Sequence, residues 1–186
     1  MKATGIVRRI DDLGRVVIPK EIRRTMRIRE GDPLEIFTDR EGEVIFKKYS
    51  PIGELSAFAS QYAETLFRTC NLAVIISDRD AVIASAGVSK KEYNERKLSA
   101  GLEKVIESRG MYIWREGSER YSAIMDGNAH YVSCAMPIIS EGDVVGCVAS
   151  LVDAAGSSRP KDQNAADTEA KLIMTAASFL GRQMEN

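Results

Sequence analysis

At 186 residues, with 44% hydrophobic and 28% charged side chains, the chain has the size and composition of one large or two small globular domains. Its longest apolar runs fall well short of the roughly 20 residues of a membrane span, and the opening MKATGIVRR has no apolar signal-peptide core, so a cytoplasmic protein is expected. The formal net charge of −1 hides a basic head on an acidic body, the footprint of a polyanion-binding module: residues 1–29 hold nine Lys/Arg against three Asp/Glu, an excess of +6, while residues 51–186 hold 14 basic against 18 acidic groups.

The head is expected to begin with two extended segments, residues 4–10 and 15–18, on either side of a turn at Asp11, Asp12, Leu13 and Gly14. β-Branched side chains favour the extended backbone, and Gly14 supplies the positive φ of a hairpin or bulge. Pro19 sits where a missing N–H costs nothing, which predicts a brief helix over residues 20–27 with Ile22 and Met26 on its inner face, stopping before Gly31 and Pro33. Residues 34–38 and 43–49 read as a second hairpin around Asp39 to Gly42. With so few large apolar side chains, a segment of about fifty residues buries too little surface to be stable alone. Two copies sharing one core is the expected remedy.

Ser50 followed by Pro51 predicts a helix start. Ile52, Leu55, Ala59, Tyr62 and Leu66 then recur at alternating spacings of three and four, which suits either a core-facing helix or a self-association seam. Residues 73–77 and 81–86 read as strands around the polar turn Asp78, Arg79 and Asp80. Residues 90–109 read as helical with a break near Leu98 and Ser99, presenting Leu102, Val105 and Ile106 on one face and capped by Gly110. Residues 111–115 and 121–125 are expected to be strands. With Glu141 and Gly142 as the loop of a last hairpin, Val132, Cys134, Met136 and Ile138 lie opposite Leu151, Ala149, Cys147 and Val145, all on one face. Residues 154–160 have the composition of a surface loop, and residues 165–184 form a closing helix with Leu172, Ile173, Ala176, Phe179 and Leu180 as its apolar face. The layout is α+β: five or six antiparallel strands flanked by helices, with the opening and closing helices as neighbours.

The chemistry resides in the head. Arg8, Arg9, Arg15, Arg23 and Arg24 lie in folded segments with short connections, and guanidinium groups grip phosphates bidentately or read guanine O6 and N7, as lysine does not. Cys70, Cys134 and Cys147 are odd in number and lack a CxxC spacing, so they are read as reduced core residues, neither a disulfide framework nor a zinc site. The lone His130 is read as structural. Gly14, Gly42 and Gly142 suit turns better than a phosphate-cradling loop, and no metal or cofactor is expected. Tyr112, Trp114, Tyr121 and Tyr131 could line a pocket, though aromatic side chains in a small sheet are more often core.

The run TGIVRRIDDLGRVVIPKEIRRTMRIREGDPLEIF, followed by EGEVIFKKYSP, closely resembles the AbrB-type swapped-hairpin DNA-binding domain, most specifically in LGRVVIPKEIRR. The resemblance implies a domain over residues 1–51 in which two chains exchange hairpins to make one β-barrel-like dimer, with DNA contacts from Arg8, Arg9, Arg15, Arg23 and Arg24. With its longer C-terminal part, the whole chain resembles sporulation-type regulators that carry such a head, which implies a linker or oligomerisation helix over residues 52–72 and a GAF-like domain of antiparallel sheet flanked by helices over residues 73–186. Such a chain regulates transcription of sporulation-type genes, binds double-stranded DNA, assembles as a homodimer through the head and a homotetramer through helices flanking the second domain, and takes an unidentified small-molecule effector if it senses one. Ligand-site residues do not carry over from the resemblance. Two other readings compete. Swapped-hairpin heads also occur in antitoxins, but those end in short toxin-binding tails, whereas residues beyond 50 carry full core patterning. Some GAF-like domains are cysteine-dependent reductases, but Cys134 and Cys147 fall on apolar strand positions. A non-enzymatic regulator is the expectation.

Overall fold

A computed structural model describes residues 4–154 and 163–185. The chain divides into two compact units, Met1–Tyr49 and Ser50–Asn186. In the first, helix α1 (Lys20–Thr25) follows Pro19, and strands β1 (Leu34–Thr38) and β2 (Val44–Lys48) pair antiparallel with Ile36 opposite Phe46. Asp39 builds the connecting turn. Its Oδ1 accepts the N–H groups of Glu41 at 3.0 Å and Glu43 at 2.9 Å, and Gly42 turns the chain at φ +83°.

The turn at Asp11 forms as its sequence predicts, with Gly14 at φ +76° and its N–H donating to the Asp11 carbonyl at 2.9 Å. The flanking segments do not become strands: within the described chain, residues 4–10 and 15–18 join no ladder. Their side chains select the extended backbone, but a strand also needs a hydrogen-bonding neighbour, and the described residues do not offer one. Nor is the inner face of α1 buried, for Ile22 is half-buried and Met26 exposed.

In the second unit Ser50 caps α2 (Pro51–Glu54) by accepting the Gly53 N–H at 3.2 Å, and α3 (Ser56–Cys70) continues after a break at Leu55. Five antiparallel strands follow in the order β4-β3-β7-β6-β5: β3 (Ala73–Ser77), β4 (Val82–Ala86), β5 (Tyr112–Ile113), β6 (His130–Ser140) and β7 (Asp143–Asp153). Helices α3 and α6 (Gln163–Gln183) cover one face, burying Ala59, Ala63, Leu66, Ile173, Ala176 and Leu180 against Val74, Ile76, Cys134, Ile138 and Val148. Helices α4 (Lys90–Tyr93) and α5 (Ala100–Ser108) cover the other, where Leu102, Val105 and Ile106 meet Ile75, Cys147, Ala149 and Leu151. Alternation along β3 sends Val74 and Ile76 one way and Ile75 the other, as pleating requires. Gly146 lets β3 and β7 close, because a Cβ there would overlap the Ser77 carbonyl oxygen.

Several sequence expectations change here. A bulge between Val132 and Cys134 places Cys134 opposite Ser150, not Ala149, and divides the expected single face: Val132 stays with α5 while Cys134 and Ile138 turn towards α3 and α6. Residues 121–125 make only isolated bridges, Ser122 with Tyr131 and Leu98 with Ile124. The left-handed cap of α5 is Arg109 at φ +57°, one residue before Gly110, and Arg109 Nη2 donates to the Gly142 carbonyl. On α6 the buried face is Ile173, Ala176, Ala177 and Leu180, while Phe179 is exposed. Cys70 is half-buried, so only Cys134 and Cys147 are core. The loop expected at residues 154–160 lies, after Ala154, outside the described residues.

Candidate nucleic-acid interface

Arg8 and Arg9 lie on the extended segment before the Asp11 turn, Arg15 directly after it, and Arg23 and Arg24 on α1. Arg8, Arg9, Arg15 and Arg24 are exposed. Arg23 differs: it is half-buried, and its Nε is buried with no hydrogen-bond acceptor among the described residues. The five therefore share the head but not one environment, with Arg23 bound into its own helix by its backbone, whose N–H donates to the Pro19 carbonyl at 2.9 Å.

Arg15 is held by Asp11. The Asp11 Oδ1 accepts the N–H groups of Leu13 at 3.0 Å and Arg15 at 2.8 Å, while its Oδ2 accepts Arg15 Nε at 2.8 Å. Hydrogen bonds from the Arg15 backbone and side chain hold the Asp11 carboxyl below the ordinary carboxylate range. Behind α1, Lys48 Nζ donates to the Arg27 carbonyl at 2.9 Å and approaches Asp32 Oδ2 at 3.4 Å, and the same oxygen accepts the Arg29 N–H at 2.8 Å. The Asp32 side chain is buried, with the Lys48 ammonium beside it. Sequence reasoning missed both aspartates as partners. The Asp-Asp-Leu-Gly turn carries a signal for Asp11, since Asp favours side-chain bonds to backbone two residues on; nothing in spacing ties Asp32 to Lys48.

The apolar side chains of the head are uncovered. No apolar residue from 4 to 49 is buried, and Val7, Ile10, Leu13 and Val17 expose between 68% and 87% of their surface. A folded unit rarely leaves so many large apolar side chains uncovered.

The second unit has three polar or aromatic groupings on its α5 side or near β5. Tyr93 OH bonds His130 Nδ1 at 2.9 Å and His130 Nε2 lies 3.0 Å from Asp153, so the single histidine joins α4 to the outer ends of β6 and β7. Burial is the main cause that pushes the Tyr93 hydroxyl pKa up. The Tyr112 and Tyr121 rings meet at a tilt of 41° with centroids 5.2 Å apart, and the Arg120 guanidinium lies 4.4 Å from the Trp114 ring centroid. All four aromatic groups singled out from sequence are half-buried, neither core nor fully exposed. The described residues contain no group of three or more His, Cys, Asp or Glu arranged to hold a metal, and no helix long and apolar enough to cross a membrane.

Comparison with known proteins agrees with this division. A family model described as stage V sporulation protein T C-terminal, transcription factor, matches residues 54–185, and one described as antidote-toxin recognition MazE, bacterial antitoxin, matches residues 7–53. The chain is 50% identical over 190 residues to stage V sporulation protein T of Bacillus subtilis (strain 168), an alignment covering 100% of this chain and 99% of that protein. Its head is 63% identical over 51 residues to the transition state regulatory protein AbrB of the same organism, covering 27% of this chain and 52% of that one. Among solved structures, a GAF domain of A. aeolicus in an inactive state superposes with a TM-score of 0.52 at 16% identity, covering 68% of this chain and 82% of that domain. The second unit thus has the GAF fold.

Proposed function

The chain belongs to the stage V sporulation protein T family of transcription factors, and from that premise we propose that it binds operator DNA through Arg8, Arg9, Arg15, Arg23 and Arg24 of a dimeric head. A DNA-binding regulator of transcription is what the family is. The residue assignment and the assembly are our reading. The observation that carries it is the head itself, which concentrates a +6 excess in residues 1–29 beside apolar side chains that are exposed among the described residues. A second copy covers that surface and doubles the arginines to ten. The MazE-type match favours an antitoxin only over residues 7–53; the region where a toxin-binding tail would lie matches the transcription-factor model instead.

The same reading makes the protein cytoplasmic and non-catalytic. The second unit associates further copies into a tetramer, with Phe58, Tyr62 and the exposed Phe179 on neighbouring α3 and α6 as its contact face; Tyr62 and Phe179 stack at 5.5 Å. A small-molecule effector is a second role for this unit, favoured by the half-buried aromatic groups around β5. DNA contact is tested by salt-dependent binding of folded Arg→Ala variants. Each variant that removes a phosphate contact lowers the slope of log K against log salt by about one. Unchanged affinity and slope in Arg15→Ala and Arg24→Ala overturn the assignment.

A further inference from the structure

The two turns of the head are built alike, and the difference between them is informative. In both, an Asp opens the turn and a Gly three residues on closes it, and one carboxylate oxygen accepts two backbone N–H groups: Leu13 and Arg15 at Asp11, Glu41 and Glu43 at Asp39. Asp39 shows that Oδ1 alone suffices to make the turn. At Asp11 the second oxygen does something further, accepting Arg15 Nε at 2.8 Å while the Arg15 side chain remains 69% exposed.

We propose that Asp11 is a specificity-determining positioning residue, holding Arg15 by Nε so that its two Nη groups form the end that reads DNA. This rests on the reading that Arg15 touches DNA. With Nε engaged, the edge left for a bidentate contact is the Nη1/Nη2 edge, which matches guanine O6 and N7. Pinning a long side chain before binding also spares rotamer entropy that a free arginine loses on contact. The carboxylate has an opposite effect on phosphates, since it cancels one positive charge per chain and repels the backbone of every sequence alike. Uniform repulsion together with a gain confined to guanine in the right place raises discrimination and lowers indiscriminate binding.

The test uses the full chain and two duplexes: the sequence that the natural chain enriches from a randomised library, and a mixed-sequence duplex of equal length. Asp11→Asn keeps the Oδ1 acceptor, and so the turn, but puts an NH2 donor where Oδ2 accepted Nε, which breaks that bond and removes the charge. It is expected to bind the mixed duplex at least as tightly as the natural chain, and to lose about tenfold in the enriched-to-mixed affinity ratio, the size of one base contact. Arg15→Lys, which keeps the charge but has neither Nε nor the fork, is expected to lose the ratio similarly. In an Arg15→Ala background Asp11→Asn should change the ratio no further. An unchanged ratio in folded Asp11→Asn or in Arg15→Lys overturns the proposal, as does an equal loss with and without Arg15. If Arg15→Ala leaves both affinities unchanged, Arg15 does not touch DNA, and the underlying reading fails at that residue along with the proposal.

Discussion

The three cysteines, alike in sequence, are set apart by what surrounds them. Burial pushes the Cys147 thiol far above its ordinary value, and Cys134 is likewise buried, whereas Cys70 is half-buried at the end of α3 beside Thr69 Oγ1 at 3.4 Å. Thiolate is the reactive form, so exposure favours Cys70 and burial disfavours Cys147. In the folded protein a thiol reagent should modify one cysteine per chain, identified by mass spectrometry as Cys70, with Cys134 and Cys147 reacting only after denaturation. Rapid labelling of Cys147 in the folded state would contradict the burial seen here. Carboxylates make a second distinction. Glu64 on α3 is bonded to Lys90 Nζ at 2.8 Å, and that bond first, then the Lys90 charge, lowers its pKa. A carboxyl with a depressed folded pKa contributes stability above its unfolded pKa and loses it as pH falls through the folded value. The melting-temperature difference between the natural chain and Glu64→Gln should therefore be small and constant above the unfolded carboxylate value, about 4.3, and vanish once the pH falls below the lowered folded value, because both forms are then neutral. It should also shrink with salt, since the pair is exposed.

At the scale of elements, one buried pair shows how α6 is fixed to the sheet. Glu169, 6% exposed, accepts the Ser150 hydroxyl at 2.5 Å, and the Ser150 Oγ also accepts the Cys134 N–H at 3.1 Å across the strand pair. Ser150→Ala leaves a carboxyl buried without that donor, at a cost of about 1–3 kcal/mol or more. Adding Glu169→Leu removes the stranded group. The double variant should thus be more stable than Ser150→Ala alone, and additive losses in urea unfolding would show that the pair does not act as a unit. This register was not legible in sequence. Val132, Ser133 and Cys134 form an unbroken run with no glycine or proline to mark a bulge, so plain alternation set Cys134 opposite Ala149. What was legible carried stereochemical reasons: the Ser50 and Pro51 helix start and the Gly42 turn. Likewise, arginine content exposed the basic head, but not that Asp11 restrains one member and that another has its Nε buried. Those facts depend on turn geometry and side-chain rotamers, which composition does not encode.

For the whole molecule, the two units should respond differently to concentration. The second buries its own core between the sheet and helices on both faces, whereas no apolar residue from 4 to 49 is buried in one chain. If a second copy completes the head, the head's stability is a property of protomer concentration, and a hundredfold increase is worth about 2.7 kcal/mol. For so small a unit that shifts its unfolding transition upward by roughly 10 to 20 °C in calorimetry of the full chain. A single variant distinguishes this from an ordinary marginal domain. Val17 is 68% exposed in one chain, and an exposed valine changed to aspartate ordinarily costs little, within about 0.5 kcal/mol. Covered by a partner, the same aspartate buries a charge without a counter-ion, at a cost large against the stability of a fifty-residue head. Val17→Asp should therefore abolish the concentration-dependent transition and DNA binding together while leaving the unfolding of the second unit in place. A head that melts at the natural temperature, independent of concentration, in either protein would mean that its exposed valines and isoleucines face solvent and that one chain suffices.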